Sequence, residues 1–217
     1  TKVTPLCLEE SLLLHRPPGF SFFMFASLFG FATSFVLTYL AIPAIILVSR
    51  EKKLYDQPNE RSAHAQPTPS LGGIAMFAGM ICGVILWAPA AMFGALQYIL
   101  AALLVIFLLG VRDDLLPLSP VKKFLGQLLA ALILIYLSQV KIMSLEGIAG
   151  VYDLPEAFAL AVSVVAIVGI VNAFNLIDGI DGLAGSTGLF ACVAFGGWFF
   201  AAGHIEMAVL AASLAGA

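Results

Sequence analysis

Long apolar runs broken by short polar segments dominate the chain. A helix needs about 20 mostly apolar residues to cross the hydrocarbon core of a bilayer. By that measure, runs lie near Phe20 to Val48, Leu71 to Ala88, Phe93 to Val111, Val121 to Leu137, Ala157 to Phe174 and Leu183 to Ala201. A seventh begins at Ile205 and stops at Ala217, short of a crossing. The pattern predicts an all-α fold: a polytopic transmembrane helical bundle with six complete spans plus the start of a seventh. Residues 1–19, with Pro17-Pro18-Gly19, read as an N-terminal tail, and 20–217 as one membrane domain, expected to be incomplete at its C-terminus. Gly79 and Gly83 form a G-x-x-x-G pair, a spacing that lets helices approach closely.

Composition agrees with a membrane solvent. Of the 217 residues, 61% are hydrophobic and only 11% charged, and mean hydropathy is +1.05, far from the balance of a soluble domain. A net charge of −3 supplies no basic surface for nucleic acid. Cys7, Cys82 and Cys192 are scattered without metal-ligand spacing, and no disulfide is read from them.

The polar segments set the orientation, because short cytoplasmic loops collect Lys and Arg. The segment from Ser49 to Ser70 carries Arg50, Lys52, Lys53 and Arg61, and that from Arg112 to Pro120 is bracketed by Arg112 and Lys122-Lys123. Both are expected in the cytoplasm. The segment from Ser138 to Glu156, with one Lys against Glu146, Asp153 and Glu156, is expected outside. Helix parity then puts Asn172 to Gly185 on the cytoplasmic side as well. Three polar segments therefore converge on one face.

The first reads Y-D-Q-P-N-E-R-S-A-H-A-Q-P-T-P-S-L-G-G, Tyr55 to Gly73. Its prolines oppose a helix, Gly72-Gly73 allow backbone amides to approach a ligand, and Arg61 and His64 are donors suited to phosphate. It also reads as a basic connector at the membrane surface. The second, Gly110 to Lys123, holds the adjacent carboxylates Asp113 and Asp114. Such a pair repels unless a cation or proton lies between, so it suits magnesium or a shared proton, or else a helix end paired with Arg112 or Lys122. Lys122 and Gln127 fall on the opening turns of the next helix, where Lys122 can meet a phosphate. The third, N-A-F-N-L-I-D-G-I-D-G-L-A-G, spaces Asn172, Asn175 and Asp178 by three, on one side of a helix end, with Asp181 following. Gly179, Gly182 and Gly185 permit tight backbone there. Caps on a turn would account for one Asn and one Asp, not for this series.

Together these motifs resemble the polyprenyl-phosphate N-acetylhexosamine-1-phosphate transferases of glycosyltransferase family 4, which include phospho-MurNAc-pentapeptide translocase. The resemblance runs from about Phe20 to the end, and the first loop is most similar to the O-antigen-initiating branch. It implies an enzyme of the bacterial inner membrane, multi-pass, with its active site facing the cytoplasm. The reaction implied is transfer of a sugar-1-phosphate from a UDP-sugar to a polyprenyl (undecaprenyl) phosphate, releasing UMP and starting a cell-surface polysaccharide. UDP-N-acetylglucosamine is the default donor, and a deoxy-N-acetylhexosamine fits the branch.

The same resemblance implies Mg²⁺ as cofactor, with Mn²⁺ as a substitute. It places Asp113 and Asp114 beside the lipid phosphate, one as base, and makes Asp178 catalytic. Asn175 and Asp114 would hold the metal. Asn172, Asn175, Asp181, Gly179 and Gly182 would line the nucleotide site, with Lys122, Arg61 and His64 as phosphate donors. The partners implied are the UDP-sugar, the polyprenyl phosphate and the bilayer, with a homo-oligomer as a candidate assembly. Further magnesium and sugar-binding loops are expected beyond Ala217, so the chain is expected to be inactive alone. A transporter or ion pathway, which would carry ionisable residues at mid-bilayer depth, and a structural membrane subunit are the alternatives.

Overall fold

The computed structural model describes residues 20–52, 54–56, 68, 69, 71–178, 180 and 182–217. Among them the chain forms seven α-helices: α1 (Phe20–Lys52), α2 (Gly72–Trp87), α3 (Phe93–Leu115), α4 (Pro120–Tyr136), α5 (Glu156–Ile177), α6 (Leu183–Ala202) and α7 (Ile205–Gly216). Each coincides with one apolar run of the sequence. Two-residue strands, β1 (Tyr55–Asp56) and β2 (Thr68–Pro69), pair antiparallel with Tyr55 opposite Pro69 and Asp56 opposite Thr68. They close the base of the first polar loop.

The expected count of six full crossings is met only in part. α1 from Phe22, α3, α5 and α6 are long and apolar enough to span a bilayer, whereas α2 and α7 are shorter apolar helices and α4 has 17 residues. At 1.5 Å per residue, the 16 residues of α2 cover only about 24 Å of a core about 30 Å thick. α1 errs the other way. Its 33 residues run through Pro43 and past the apolar run, so that Arg50 and Lys52 lie in the last turn, where cations complement the helix dipole.

Local chemistry sets several boundaries. Ser119 stands extended before α4 and Pro120 occupies the first turn, where its missing N–H costs nothing. Gly182 (φ 72°) precedes α6 and Gly203 (φ 82°) ends it, both in the left-handed region that glycine enters without strain.

α1, α2 and α7 pack most closely, with α6 against α7, and α4 joins α3 to α5. Small residues make the first contact possible. A β-carbon on Gly79 would strike Thr38 Oγ1, one on Gly83 would lie 2.7 Å from the Gly30 carbonyl and 2.8 Å from Ser213 Oγ, and one on Gly216 would strike the Phe31 carbonyl. The G-x-x-x-G pair therefore serves helix packing. Ala26, Val84, Ala88, Leu96, Ile205 and Val209 form a buried cluster beside it. By contrast, α6 buries no residue fully. Phe25, Phe35, Leu40, Phe190 and Trp198 are exposed on helix surfaces, as a lipid solvent allows.

Candidate active site

Consecutive helices alternate in direction, so the ends of α3 and α5 and the starts of α4 and α6 share one end of the bundle. Among the described residues, Asp113, Asp114, Lys122, Asn172, Asn175 and Asp178 sit there. Asp113 and Asp114 lie in the last turn of α3, and Asp178 is the helical C-cap of α5. Because Asp178 continues the helical backbone (φ −66°, ψ −18°), Asn172, Asn175 and Asp178 do share one side of α5.

Carboxylates at helix C-termini face the negative end of the dipole and need compensation. For Asp113 it comes from α4. Lys123 Nζ donates to Asp113 Oδ2 at 3.0 Å, and the Leu118 backbone N–H donates to Oδ1 at 2.9 Å. The pair is about three-quarters shielded, with 28% and 27% of the two side chains exposed, and contributes at most about 1 kcal/mol after screening. Arg112, one of the two cations offered with Lys122 as partners for the aspartate pair, donates through a guanidinium nitrogen to the Leu116 carbonyl at 3.0 Å. Lys122 is exposed.

One turn further along α4, Gln127 is 2% exposed. It forms a reciprocal amide pair with Asn172: Gln127 Nε2 donates to Asn172 Oδ1 at 3.2 Å, and Asn172 Nδ2 donates to Gln127 Oε1 at 2.9 Å. Asn172 Nδ2 also donates to the Val168 carbonyl at 2.8 Å, one turn back in α5. The buried Gln127 amide would cost about 1–3 kcal/mol without a partner, and the exposed Asn172 supplies one. Asn172, expected to line a nucleotide site, thus has its amide committed to the contact between α4 and α5. Asn175 and Asp178 are exposed beyond it, as are Asp114 and Gly182.

Lys123 and Gln127 are four residues apart, hence on one face of α4, and that face ties α3 on one side to α5 on the other. Gly126 sits close against Leu109 of α3, where a β-carbon would lie 2.8 Å from Leu109 Cδ1. Sequence reasoning chose Lys122 and left Lys123 and Gln127 without a role. The helical repeat from Gln127 back to Lys123 was the available signal. Arg61, His64, Gly179 and Asp181 lie outside the described residues.

Asp113, Asp114, Asn175 and Asp178 offer hard oxygen donors, the type that suits magnesium. No group of three or more His, Cys, Asp or Glu side chains converges on one point among the described residues. The donors present fit an ion held by one or two carboxylates and completed by substrate phosphates, the usual mode for magnesium.

These features define a multi-pass helical membrane protein with polar side chains of α3, α4 and α5 at one end. The model of glycosyl transferase family 4 matches residues 96–217, more than half of the chain, and the protein belongs to that family. The chain is similar to the "Decaprenyl-phosphate N-acetylglucosaminephosphotransferase" of Mycobacterium tuberculosis (strain CDC 1551 / Oshkosh), with 34% identity over 110 residues, 48% of this chain and 27% of the relative. The protein of the same name from Mycobacterium leprae (strain TN) is 33% identical over 110 residues, 48% of this chain and 28% of the relative. The "Probable undecaprenyl-phosphate N-acetylglucosaminyl 1-phosphate transferase" of Bacillus subtilis (strain 168) is 28% identical over 109 residues, 49% and 29% of the two chains. The matches thus span less than a third of the length of these curated relatives.

Proposed function

We propose that this protein transfers N-acetylglucosamine-1-phosphate, or a closely related N-acetylhexosamine-1-phosphate, from a UDP-sugar to a polyprenyl phosphate at the cytoplasmic membrane face. The names of the relatives support the acceptor and the sugar. The observation that carries the reading is the single face of α4, where Lys123 holds Asp113 and Gln127 holds Asn172, so that carboxylates from α3 and polar groups from α5 are fixed at one end of the bundle.

In this reaction an oxygen of the lipid phosphate attacks the β-phosphorus of the UDP-sugar. The bond from that phosphorus to the bridging oxygen of UMP breaks, and UMP leaves with the electron pair. The product is a sugar joined to the lipid through a diphosphate. Little covalent work falls to the protein, and most of the barrier is met by positioning and charge neutralisation. Mg²⁺ would supply the neutralisation, held by Asp114 and Asn175 with Asp178 beside them.

Asp113, braced by Lys123 and the Leu118 N–H, keeps a carboxylate at a fixed position beside the attacking phosphate and can take its proton if it arrives protonated. The starts of α4 and α6 turn backbone N–H groups toward the same end, where phosphates are favoured. Asn172 acts by holding α4 to α5, so that Asn175 and Asp178 keep their place. Arg61, His64, Asp181, Gly179 and Lys122 complete the proposed substrate contacts. The O-antigen-like first loop makes initiation of a cell-surface polysaccharide the proposed role.

The test is a membrane assay of the intact protein with radiolabelled UDP-sugars and added polyprenyl phosphate. Label moving into lipid with matching release of UMP, abolished by a magnesium chelator and restored by Mg²⁺, is the expected result. Absence of lipid-linked label with every UDP-N-acetylhexosamine tried overturns it.

A further inference from the structure

The segment between α4 and α5 lies at the end of the bundle opposite the candidate site, and nothing in the proposed chemistry uses it. It is nonetheless a built structure. Ser144 and Asp153 form an antiparallel bridge. Leu145 N–H donates to the Tyr152 carbonyl at 2.9 Å, Leu154 N–H to the Met143 carbonyl at 2.9 Å, and Gly147 N–H to the Val151 carbonyl at 3.0 Å. The tip turns through Glu146 (φ 49°) and Gly147 (φ 85°). The Tyr152 ring lies against Gly147, where a β-carbon would come within 3.2 Å of it.

The base is fixed to α5. Ser163 Oγ accepts the Ile142 N–H at 2.8 Å and donates to the Ala159 carbonyl at 2.7 Å. The hairpin is therefore tied to the first turns of α5.

Its side chains do not suit water. Ile148 is 70% and Tyr152 67% exposed, and Val140 and Met143 are about half exposed. A loop this tightly tied has no means of turning them inward. Their exposure is continuous with that of Tyr136 and Leu137, which end α4, and of Phe158, which opens α5, on helices whose outer surface faces lipid. The charged groups are few: Lys141, Glu146 and Asp153 within the hairpin, and Glu156 beyond it, 3.9 Å from Lys141 Nζ. Apolar bodies with a tyrosine and a few charges that can reach water are the composition of the zone between headgroups and acyl chains.

We propose that residues 140–154 form an interfacial anchor, a hairpin that sets Ile148, Tyr152 and Val140 into the headgroup–acyl boundary of the leaflet opposite the candidate site. The occupant is the lipid surface itself. Anchoring at this point fixes the depth and tilt of α4 and α5, the helices that carry the amide pair and the polar cluster at their other ends. The inference rests on membrane insertion alone and stands whether or not the proposed transfer reaction is correct.

The test uses the intact protein without its native thiols, carrying single nitroxide labels in Ile148→Cys, Tyr152→Cys, Val140→Cys and Glu146→Cys variants, in vesicles of phosphatidylethanolamine and phosphatidylglycerol. Collision with oxygen, which partitions into lipid, is compared with collision with a water-soluble nickel chelate. The expected result is an oxygen-to-nickel ratio several-fold higher at 148 and 140 than at 146. Position 152 should follow, and if its label disturbs the turn over Gly147 the other two positions still decide. Equal ratios at 140, 146 and 148 place the hairpin in water and overturn the anchor. Low collision with both reagents at 148 overturns it equally, because protein and not lipid then covers the patch.

Discussion

Two parts of the bundle are joined by different balances of the same two means. α1, α2 and α7 approach because side chains are missing: Gly30, Gly79, Gly83 and Gly216 leave no β-carbon between the backbones, and buried Ser34 and Ser213 add little bulk. α3, α4 and α5 are joined by polar groups that find each other, Lys123 with Asp113 and Gln127 with Asn172. In lipid there is no hydrophobic force to push helices together, so close van der Waals packing and interhelical hydrogen bonds are the two devices available. Close packing leads in the first part, where the Trp87 indole N–H also donates to Thr33 Oγ1 at 2.9 Å, and hydrogen bonds lead in the second, where Gly126 also lets α4 approach Leu109 of α3. The first contact is intolerant of added size. The second depends on paired polar groups, and it is the one that adjoins the candidate site.

The largest effect expected from this contrast is on activity. Asp113→Asn keeps the volume of the side chain and removes its charge, leaving Lys123 without its counter-ion beside substrate phosphates. Turnover in the sugar-1-phosphate assay should fall by about 10²-fold or more, while the amount of folded protein in the membrane changes little. Activity within a few-fold of the parent at equal protein level would remove Asp113 from the reaction.

The complementary change tests the other part. Gly83→Val puts a branched side chain where even a β-carbon meets the Gly30 carbonyl at 2.7 Å, a backbone atom that cannot step aside. About 1–3 kcal/mol of stability should be lost, seen as a lower thermal midpoint of the detergent-solubilised protein. Gly169→Ala is the control. It lies in α5 with nothing within 4 Å of the added carbon, and helix propensity alone should leave stability unchanged or raised by up to about 1 kcal/mol. Equal losses at both positions would contradict a contact built on size.

The helices of both parts were legible in the sequence because their apolar runs are long and their interruptions polar. The side of α5 that carries Asn172, Asn175 and Asp178 was legible too, since a spacing of three has one meaning on a helix. Partner choice was not. Lys122 and Lys123 are adjacent, and only the phase of α4, set by Pro120 at its start and buried Gln127, decides which faces α3. The partner of Asn172 was hidden for a similar reason: the sequence does not show that Gln127, on another helix, pairs with its amide. The count of full crossings was legible only in part, because hydropathy does not measure length: α2 reads as a crossing and has 16 residues. The hairpin between α4 and α5 left only charge as its trace, because its order comes from backbone bonds.

The amide pair can be weighed by a double-mutant cycle. Asn172→Ala strands the buried Gln127 amide, Gln127→Ala leaves Asn172 with its Val168 bond, and the double variant strands no amide. A coupling of about 0.6–2 kcal/mol is expected from unfolding in mixed micelles. The exchange Gln127→Asn with Asn172→Gln should recover part of it, because the pair is reciprocal. Additive losses and no recovery would mean that the two amides act separately.

The smallest effect concerns the neighbouring lysines, and it is the one that most sharpens the contrast between chemistry and size. Lys123→Ala removes the cation 3.0 Å from Asp113 Oδ2, whereas Lys122→Ala removes an exposed side chain. Stability should fall by about 1 kcal/mol in the first and by less than about 0.5 kcal/mol in the second. Salt distinguishes the cause. The partly shielded ion pair still feels the ionic atmosphere, whose screening length shrinks from about 30 Å at 0.01 M to about 3 Å at 1 M. If the pair acts through charge, the gap between the two variants should narrow across that range. If it stays constant, the four-carbon stem of Lys123 packing between α3 and α4 accounts for the difference. In that case this contact would depend on size after all, as the glycine contact does.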